Sequence, residues 1–260
     1  MNTDVILQAR GVRKSFGALK AVDGVDLDLR RGDITGLIGP NGAGKSTLFG
    51  LIAGETSPSG GQVLFQGNDI TGMKPERVFR HGLARTFQIP RPFRRMTVLE
   101  NVMCAADNQT GERFWNNWVR PSVVAQQERE NRARAENVLA FCNLTHMTHD
   151  MAGSLSGGQQ KLLELARVMM VEPRLILLDE PTAGVNPSLI EHLIDRVVEL
   201  NARGVSFLIV EHNMDLVMRI CGRIVVMAQG RRIAEGSPAD VTADRQVIDA
   251  YLGDVGEVAE

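Results

Sequence analysis

The sequence predicts an α/β fold in which a largely parallel sheet carries a glycine-rich loop and a helical segment interrupts the core. Three observations lead there. A glycine-rich run, "GPNGAGKS" at 39–46, follows a strand-like stretch and precedes a helix-like one. The final third alternates short apolar runs with amphipathic ones: "RLILLD", "PSLIEHLIDRVVELNARG", "SFLIVEH", "NMDLVMRIC" and "RIVVMAQG". That is the pattern of parallel strands joined by helices. From Thr97 to Val171 the pattern is mainly helical, and "AQQERENRARAENVLAFCNL" keeps its apolar positions on one face.

Taken in order, "VILQARGVRKSF" and "AVDGVDLDLR" read as strands, with Val22, Val25, Leu27 and Leu29 spaced for one face. "DITGLIG" is a buried strand that ends directly in the glycine-rich loop, and "STLFGLIAG" is a helix closed by Gly54. "GQVLFQGNDI" is a short strand-pair region. The chain is expected to form a single domain over 1–260, with a core of 1–96 and 172–260 and a helical sub-domain over 97–171.

Composition narrows the class. At 260 residues, with 43% hydrophobic and 23% charged, the chain has material for one large domain and an ordinary soluble core. A net charge of −2 provides no basic excess for nucleic acid. Cys104, Cys142 and Cys221 are odd in number and lack a C-x-x-C arrangement, so reduced thiols are expected rather than a disulfide framework or a zinc site. The segment "MNTDVILQARGVRKSFG" has no apolar signal region, and no run of 18 apolar residues occurs. A cytoplasmic chain that does not itself cross a membrane is the expectation.

The chemistry-bearing motifs come next. Gly39-Pro40-Asn41-Gly42-Ala43-Gly44-Lys45-Ser46 fits G-x-x-x-x-G-K-[ST] between a strand and a helix, with Thr47 next in line. In such a loop, backbone N–H groups and a helix N-terminus wrap phosphates. Lys45 can reach the β- and γ-phosphates, and the Ser46 hydroxyl can bind Mg2+. "RLILLDEP" places Asp179 at the end of a buried strand, where a metal-linked carboxylate belongs. Glu180 follows, positioned to polarise and orient a water; the alternative is a solvated acid at the strand end. In "LSGGQQK", Ser156 and Gln159 are spaced as a capping box, so a helix starts there with free N–H groups. Gly157 and Gly158 sit where side chains would block an anion.

A phosphate loop, "LSGGQ", "LILLDEPT" about twenty residues later and a His after the next strand together resemble the ATP-binding-cassette (ABC) ATPases, over nearly the whole chain. The resemblance implies a P-loop NTPase core with an antiparallel β sub-domain and an inserted α-helical sub-domain. ATP and Mg2+ are the implied ligands. Gln88 in "ARTFQIP" is similar to the glutamine that touches Mg2+ and the attacking water, and His212 in "LIVEHNM" to the histidine on the γ-phosphate. Phe16 in "KSFG" is similar to the aromatic residue that stacks on adenine; read alone, a Phe after a strand is core. The resemblance further implies head-to-tail pairing, in which Ser156, Gly157, Gly158 and Gln159 serve a partner's nucleotide. Asn186 in "EPTAGVNP" departs from the Asp common in the family; it keeps an amide but loses the charge.

"GLARTFQIPRPFRRMTVLENV", "EPTAGVNP" and "VIDAYLG" resemble the ATP-binding subunits of branched-chain amino acid importers, a group that also includes importers for urea and short amides. That resemblance implies two membrane permeases, a paralogous ATP-binding subunit or a second copy, and, indirectly, a substrate-binding protein. It places the chain peripherally on the cytoplasmic face of the membrane. Trp115 and Trp118 are either a partner contact or packed into the sub-domain, and "RPFRR" (91–95) is a permease-facing or a solvated basic loop. Non-transport ABC ATPases of DNA repair or ribosomes form the rival class. They call for long coiled-coil insertions or paired cassettes, which the sequence lacks.

Overall fold

Two long strands, β1 (Val5–Phe16) and β2 (Leu19–Arg30), open the chain as an antiparallel pair. The computed structural model describes residues 4–86, 90–107, 109–112 and 115–253. Val22, Val25, Leu27 and Leu29 are all buried, although Val22 and Val25 are three apart. The register shift at Val12/Arg13 accounts for this, because the extra residue there, Gly24, turns both valines to the same face. Next come β3 (Ile34–Ile38), buried along its whole length, and helix α1 (Lys45–Ile52). β4 (Gly60–Phe65) and β5 (Asn68–Asp69) follow, joined through Gln66 and Gly67 at φ +50° and +80°. Two consecutive positive φ values are what a tight hairpin turn needs.

Helix α2 (Pro75–Arg80) and β6 (Leu83–Arg85) precede the helical stretch. That stretch comprises α3 (Val98–Met103), α4 (Asn116–Val119), α5 (Pro121–Phe141) and α6 (Gly157–Met169). The chain then alternates: β7 (Leu175–Asp179), α7 (Pro187–Ala202), β8 (Ser206–Val210), α8 (Met214–Ile220), β9 (Arg223–Ala228) and β10 (Arg231–Gly236). Helices α9 (Pro238–Ala243) and α10 (Arg245–Gly253) follow.

The chain divides into two compact units. The first comprises Met1–Arg85, Arg174–Thr182 and Val198–Glu260; the second comprises Thr86–Pro173 and Ala183–Val197. In the first unit, an antiparallel sheet of order β2-β1-β4-β5 accompanies a six-stranded sheet of order β10-β9-β3-β8-β7-β6. The β9-β3-β8-β7-β6 pairings are parallel and β10 pairs antiparallel with β9, so the sheet is mixed at that edge. Leu7, Leu27, Phe49, Phe65, Leu177 and Met227 belong to one buried cluster that draws on both sheets and α1. The strand that feeds the glycine-rich loop, β3, lies between β8 and β9, so its end is held on both sides.

In the second unit, α5 buries Ala135, Val138 and Leu139 while most of its other residues are polar, and Cys142 is buried just past its end. That is the one-sided helix expected from its spacing. The loop before α3 is tied by the fully buried Asn101, whose Nδ2 donates to the Phe93 and Thr97 carbonyls and whose Oδ1 accepts from the Phe93 N–H. Within that loop, Arg91, Arg94 and Arg95 are at least partly solvent-accessible. Trp115 and Trp118 are 76% and 77% exposed, which removes the packed alternative for this pair. Among the described residues, no helix is long and apolar enough to cross a membrane.

Candidate nucleotide site

The first unit contains an open cleft of about 630 Å3 at the C-terminal end of β3. Phe16, Asn41, Gly42, Ala43, Gly44, Lys45, Ser46, Thr47, Glu180 and His212 all line it. The end of a central parallel strand is where α/β sheets place their ligands.

The loop's shape follows from its glycines. Gly39 has φ +146°, and a Cβ there would lie 2.0 Å from the Met227 carbonyl oxygen. Gly44, the residue before α1, has φ +95°, and its Cβ would lie 2.2 Å from the Ala21 carbonyl oxygen. Both positions exclude any side chain because backbone passes close behind the loop. Lys45 is buried, and its Nζ donates to the Gly39 and Pro40 carbonyls at 2.7 and 2.9 Å. Gly39 and Pro40 therefore brace the lysine and are not among the lining residues.

Glu180 is the first residue past β7. Its N–H donates to the Val210 carbonyl at 2.9 Å, and it takes φ +46°, a left-handed conformation rare outside glycine. Its Oε1 lies 3.1 Å from His212 Nε2. Asp179 is only 4% exposed, and its Oδ2 accepts from Arg85 Nη2 at 2.7 Å. The other arm of Arg85, Nη1, reaches Glu55 Oε2 at 2.6 Å. Neighbouring residues of one strand end thus face different surroundings, Asp179 inward to Arg85 and Glu180 to the cleft. Phe16 is 53% exposed, so it is a solvent-accessible ring and not a core residue. Lys14 Nζ lies 5.1 Å from its ring centroid.

Gln88 lies outside the described residues. Ser156, Gly157, Gly158 and Gln159 belong to the second unit and do not line the cleft. Ser156 does form the expected capping box. Its Oγ accepts from the Gln159 N–H at 3.4 Å, and Gln159 Oε1 accepts from the Ser156 N–H at 2.9 Å. A Cβ at Gly158 would lie 2.7 Å from Leu189 Cδ1 and 3.0 Å from Val185 Cγ1, so this glycine makes room for neighbours within its own unit. Asn186 also acts locally, because its Oδ1 accepts from the Ser188 N–H and hydroxyl at 3.1 and 3.0 Å, opening α7.

Sequence reading missed several contributors. Leu19, Lys20, Ala21, Gln229 and Gly230 complete the cleft wall from the start of β2 and the turn after β9. Tyr251 in α10 accepts a hydrogen bond from the Gly39 backbone, and burial raises its hydroxyl pKa above the ordinary value. None carries a spacing signal, because each is brought in by the tertiary fold.

The profile of the family described as ABC transporter matches residues 22–183. The chain belongs to the ABC transporter family. A second profile, the branched-chain amino acid ATP-binding cassette transporter, matches residues 231–257 of this cassette. It is 43% identical over 252 residues to a probable branched-chain amino acid transport ATP-binding protein LivG of Archaeoglobus fulgidus, covering 95% of each chain. It is 39% identical to the high-affinity branched-chain amino acid transport ATP-binding protein BraF of Pseudomonas aeruginosa, covering 96% of the cassette and 98% of BraF. Among solved structures, an ABC transporter cassette in its ADP conformation superposes with a TM-score of 0.82 at 39% identity, over 96% and 99% of the two chains. A nucleotide-free ABC cassette gives 0.82 at 38% identity, over 95% and 98%. The mixed α/β architecture is that of this family, and its cassettes are ATPases coupled to transport.

Proposed function

We propose that the chain hydrolyses ATP to energise an importer of branched-chain or related hydrophobic amino acids. The observation that carries the hydrolytic part is the cleft lined jointly by residues 41–47, Glu180 and His212. The cargo rests on the LivG and BraF relatives and on the 231–257 match.

In this reading the loop N–H groups and Lys45 bind the β- and γ-phosphates, with Lys45 exchanging its Gly39 and Pro40 carbonyls for phosphate oxygens. The exposed Phe16 ring supplies the face for adenine. Ser46, Asp179 and Gln88 offer a hydroxyl, a carboxylate and an amide, hard oxygen donors of the kind Mg2+ takes. When bound, Mg2+ neutralises charge on the phosphates. Glu180 orients and polarises the attacking water, and His212, 3.1 Å away, donates toward the γ-phosphate.

The Ser156, Gly157, Gly158 and Gln159 helix end would face the nucleotide of a second subunit, a paralogue or another copy, paired head to tail. Its role is carried by the α6 N-terminus as a whole, since Gly158 is committed to internal packing. The partners are two integral-membrane permeases and, through them, a substrate-binding protein, with the chain peripheral on the cytoplasmic face. The exposed Trp115 and Trp118 suit a permease contact.

The test is to tag Glu180→Gln, solubilise host membranes gently with ATP and Mg2+, and identify co-purifying proteins by mass spectrometry. Two multi-span permeases and a sister ATPase are expected. Recovery without any membrane protein would remove the importer reading.

A further inference from the structure

Glu211 precedes His212 in the sequence, is 3% exposed and is not among the residues lining the cleft. Its two oxygens are fully engaged. Oε1 accepts from the Thr182 N–H at 2.8 Å and from the Thr182 hydroxyl at 2.6 Å. Oε2 accepts from the backbone N–H of His212 at 3.0 Å and of Asn213 at 3.2 Å. All four donors are uncharged groups. Burying a carboxylate among neutral donors is a costly way to join two loops, and an apolar contact would stabilise the fold as well or better.

What this arrangement provides is geometry. Thr182 lies two residues past Glu180, on the loop leaving β7, and His212 starts the turn leaving β8. Asn213 fixes that turn on its other side, because its Oδ1 accepts from the Leu216 N–H at 3.2 Å and caps α8. The carboxylate of Glu211 is therefore a staple between two strand ends whose outward side chains meet at 3.1 Å.

We propose that Glu211 is a positioning residue that holds Glu180 and His212 in register for hydrolysis without touching the nucleotide. This rests on the reading of Glu180 and His212 as the pair that handles water and γ-phosphate. Lys45 is braced separately, through Gly39 and Pro40, so nucleotide binding does not pass through the staple. An amide in place of the carboxylate keeps one accepting oxygen and turns an NH2 group on the other two donors. One side of the staple then opens while the volume stays constant.

The experiment measures kcat, KM for ATP and melting temperature in the full chain for Glu211→Gln, Thr182→Val, Thr182→Ser, Glu180→Gln and His212→Ala. Glu211→Gln is expected to lower kcat by about 10- to 100-fold, the scale of a small misplacement of reacting groups, while KM stays within about twofold. Thr182→Val should slow turnover less, since it removes one of four bonds, and Thr182→Ser should restore the parental rate. A folded Glu211→Gln with parental kcat overturns the proposal. If that variant does not fold, the Thr182 pair decides: equal rates for Val and Ser overturn it. Should Glu180→Gln and His212→Ala keep parental rates, the underlying reading fails. Should both be slow while Glu211→Gln is fast, only the staple fails.

Discussion

Lys45 sits on two carbonyls of its own loop, so its charge is held where phosphate oxygens would replace those carbonyls. Lys45→Ala is therefore expected to abolish ATP binding or hydrolysis; unchanged steady-state ATPase activity would refute the site. On the proposed role of Glu180, Glu180→Gln should bind ATP, turn over very slowly and accumulate a dimer on size exclusion, because it keeps the shape but loses the carboxylate that would act on the water. Lys45, Ser46, Asp179 and Glu180 were legible because each sits at a fixed offset in a motif whose flanking strand and helix are themselves legible. Arg85 and Glu211 were not. Their importance lies in partners far away in sequence, Asp179 for one and Thr182 for the other.

Helix α6 illustrates what periodicity and spacing convey and what they omit. The capping box at Ser156 was readable from spacing, since Ser followed three residues later by Gln, just ahead of an apolar run, marks a helix start. The reason for Gly158 was hidden, because Leu189 and Val185 arrive from another part of the sequence. Gly to Ala inside an exposed helix ordinarily stabilises by about 1 kcal/mol. Here Gly158→Ala is expected to destabilise by about 1–3 kcal/mol instead, the scale of overpacking, measurable by denaturant unfolding. Ser156→Arg should cost the helix about 1 kcal/mol through the lost cap. It should leave ATP binding by single subunits intact yet block the Glu180→Gln dimer. Strands β3, β7, β8 and β9 were plain from their apolar runs, whereas β6, with three residues, and the antiparallel edge β10 carried too little pattern to read.

Across the whole molecule, the three thiols separate by environment. Burial pushes Cys142 up to about 12, and burial followed by the Glu211 charge does the same for Cys221, while Cys104 is exposed. A thiol kept neutral by the fold but free to ionise near its ordinary value of 9 in the unfolded chain disfavours folding increasingly as pH rises past 9, because only the unfolded state gives up its proton there. The sign is that of an acid whose folded pKa is raised: relative to low pH, the unfolded state gains stability from ionisation between 9 and about 12, so net stability falls across that window. Iodoacetamide at pH 8 should label Cys104 alone in the native protein and all three after denaturation; native labelling of Cys142 would contradict its burial. The alternating architecture was visible in the sequence at this scale too. The strand order was not, since no local pattern states that β3 lies between β8 and β9.

That strand order has a consequence for biosynthesis. The phosphate loop leaves the ribosome early, on a strand of five buried residues, yet both neighbours of that strand are encoded about 180 residues later. At ~5–20 residues per second the wait is roughly 10–40 s. During that interval the nascent chain carries an apolar strand with two open edges and a lysine without its finished cradle. The grip on nucleotide is thus among the last features to mature, and a ribosome that stalls before β9 releases a chain in need of a chaperone.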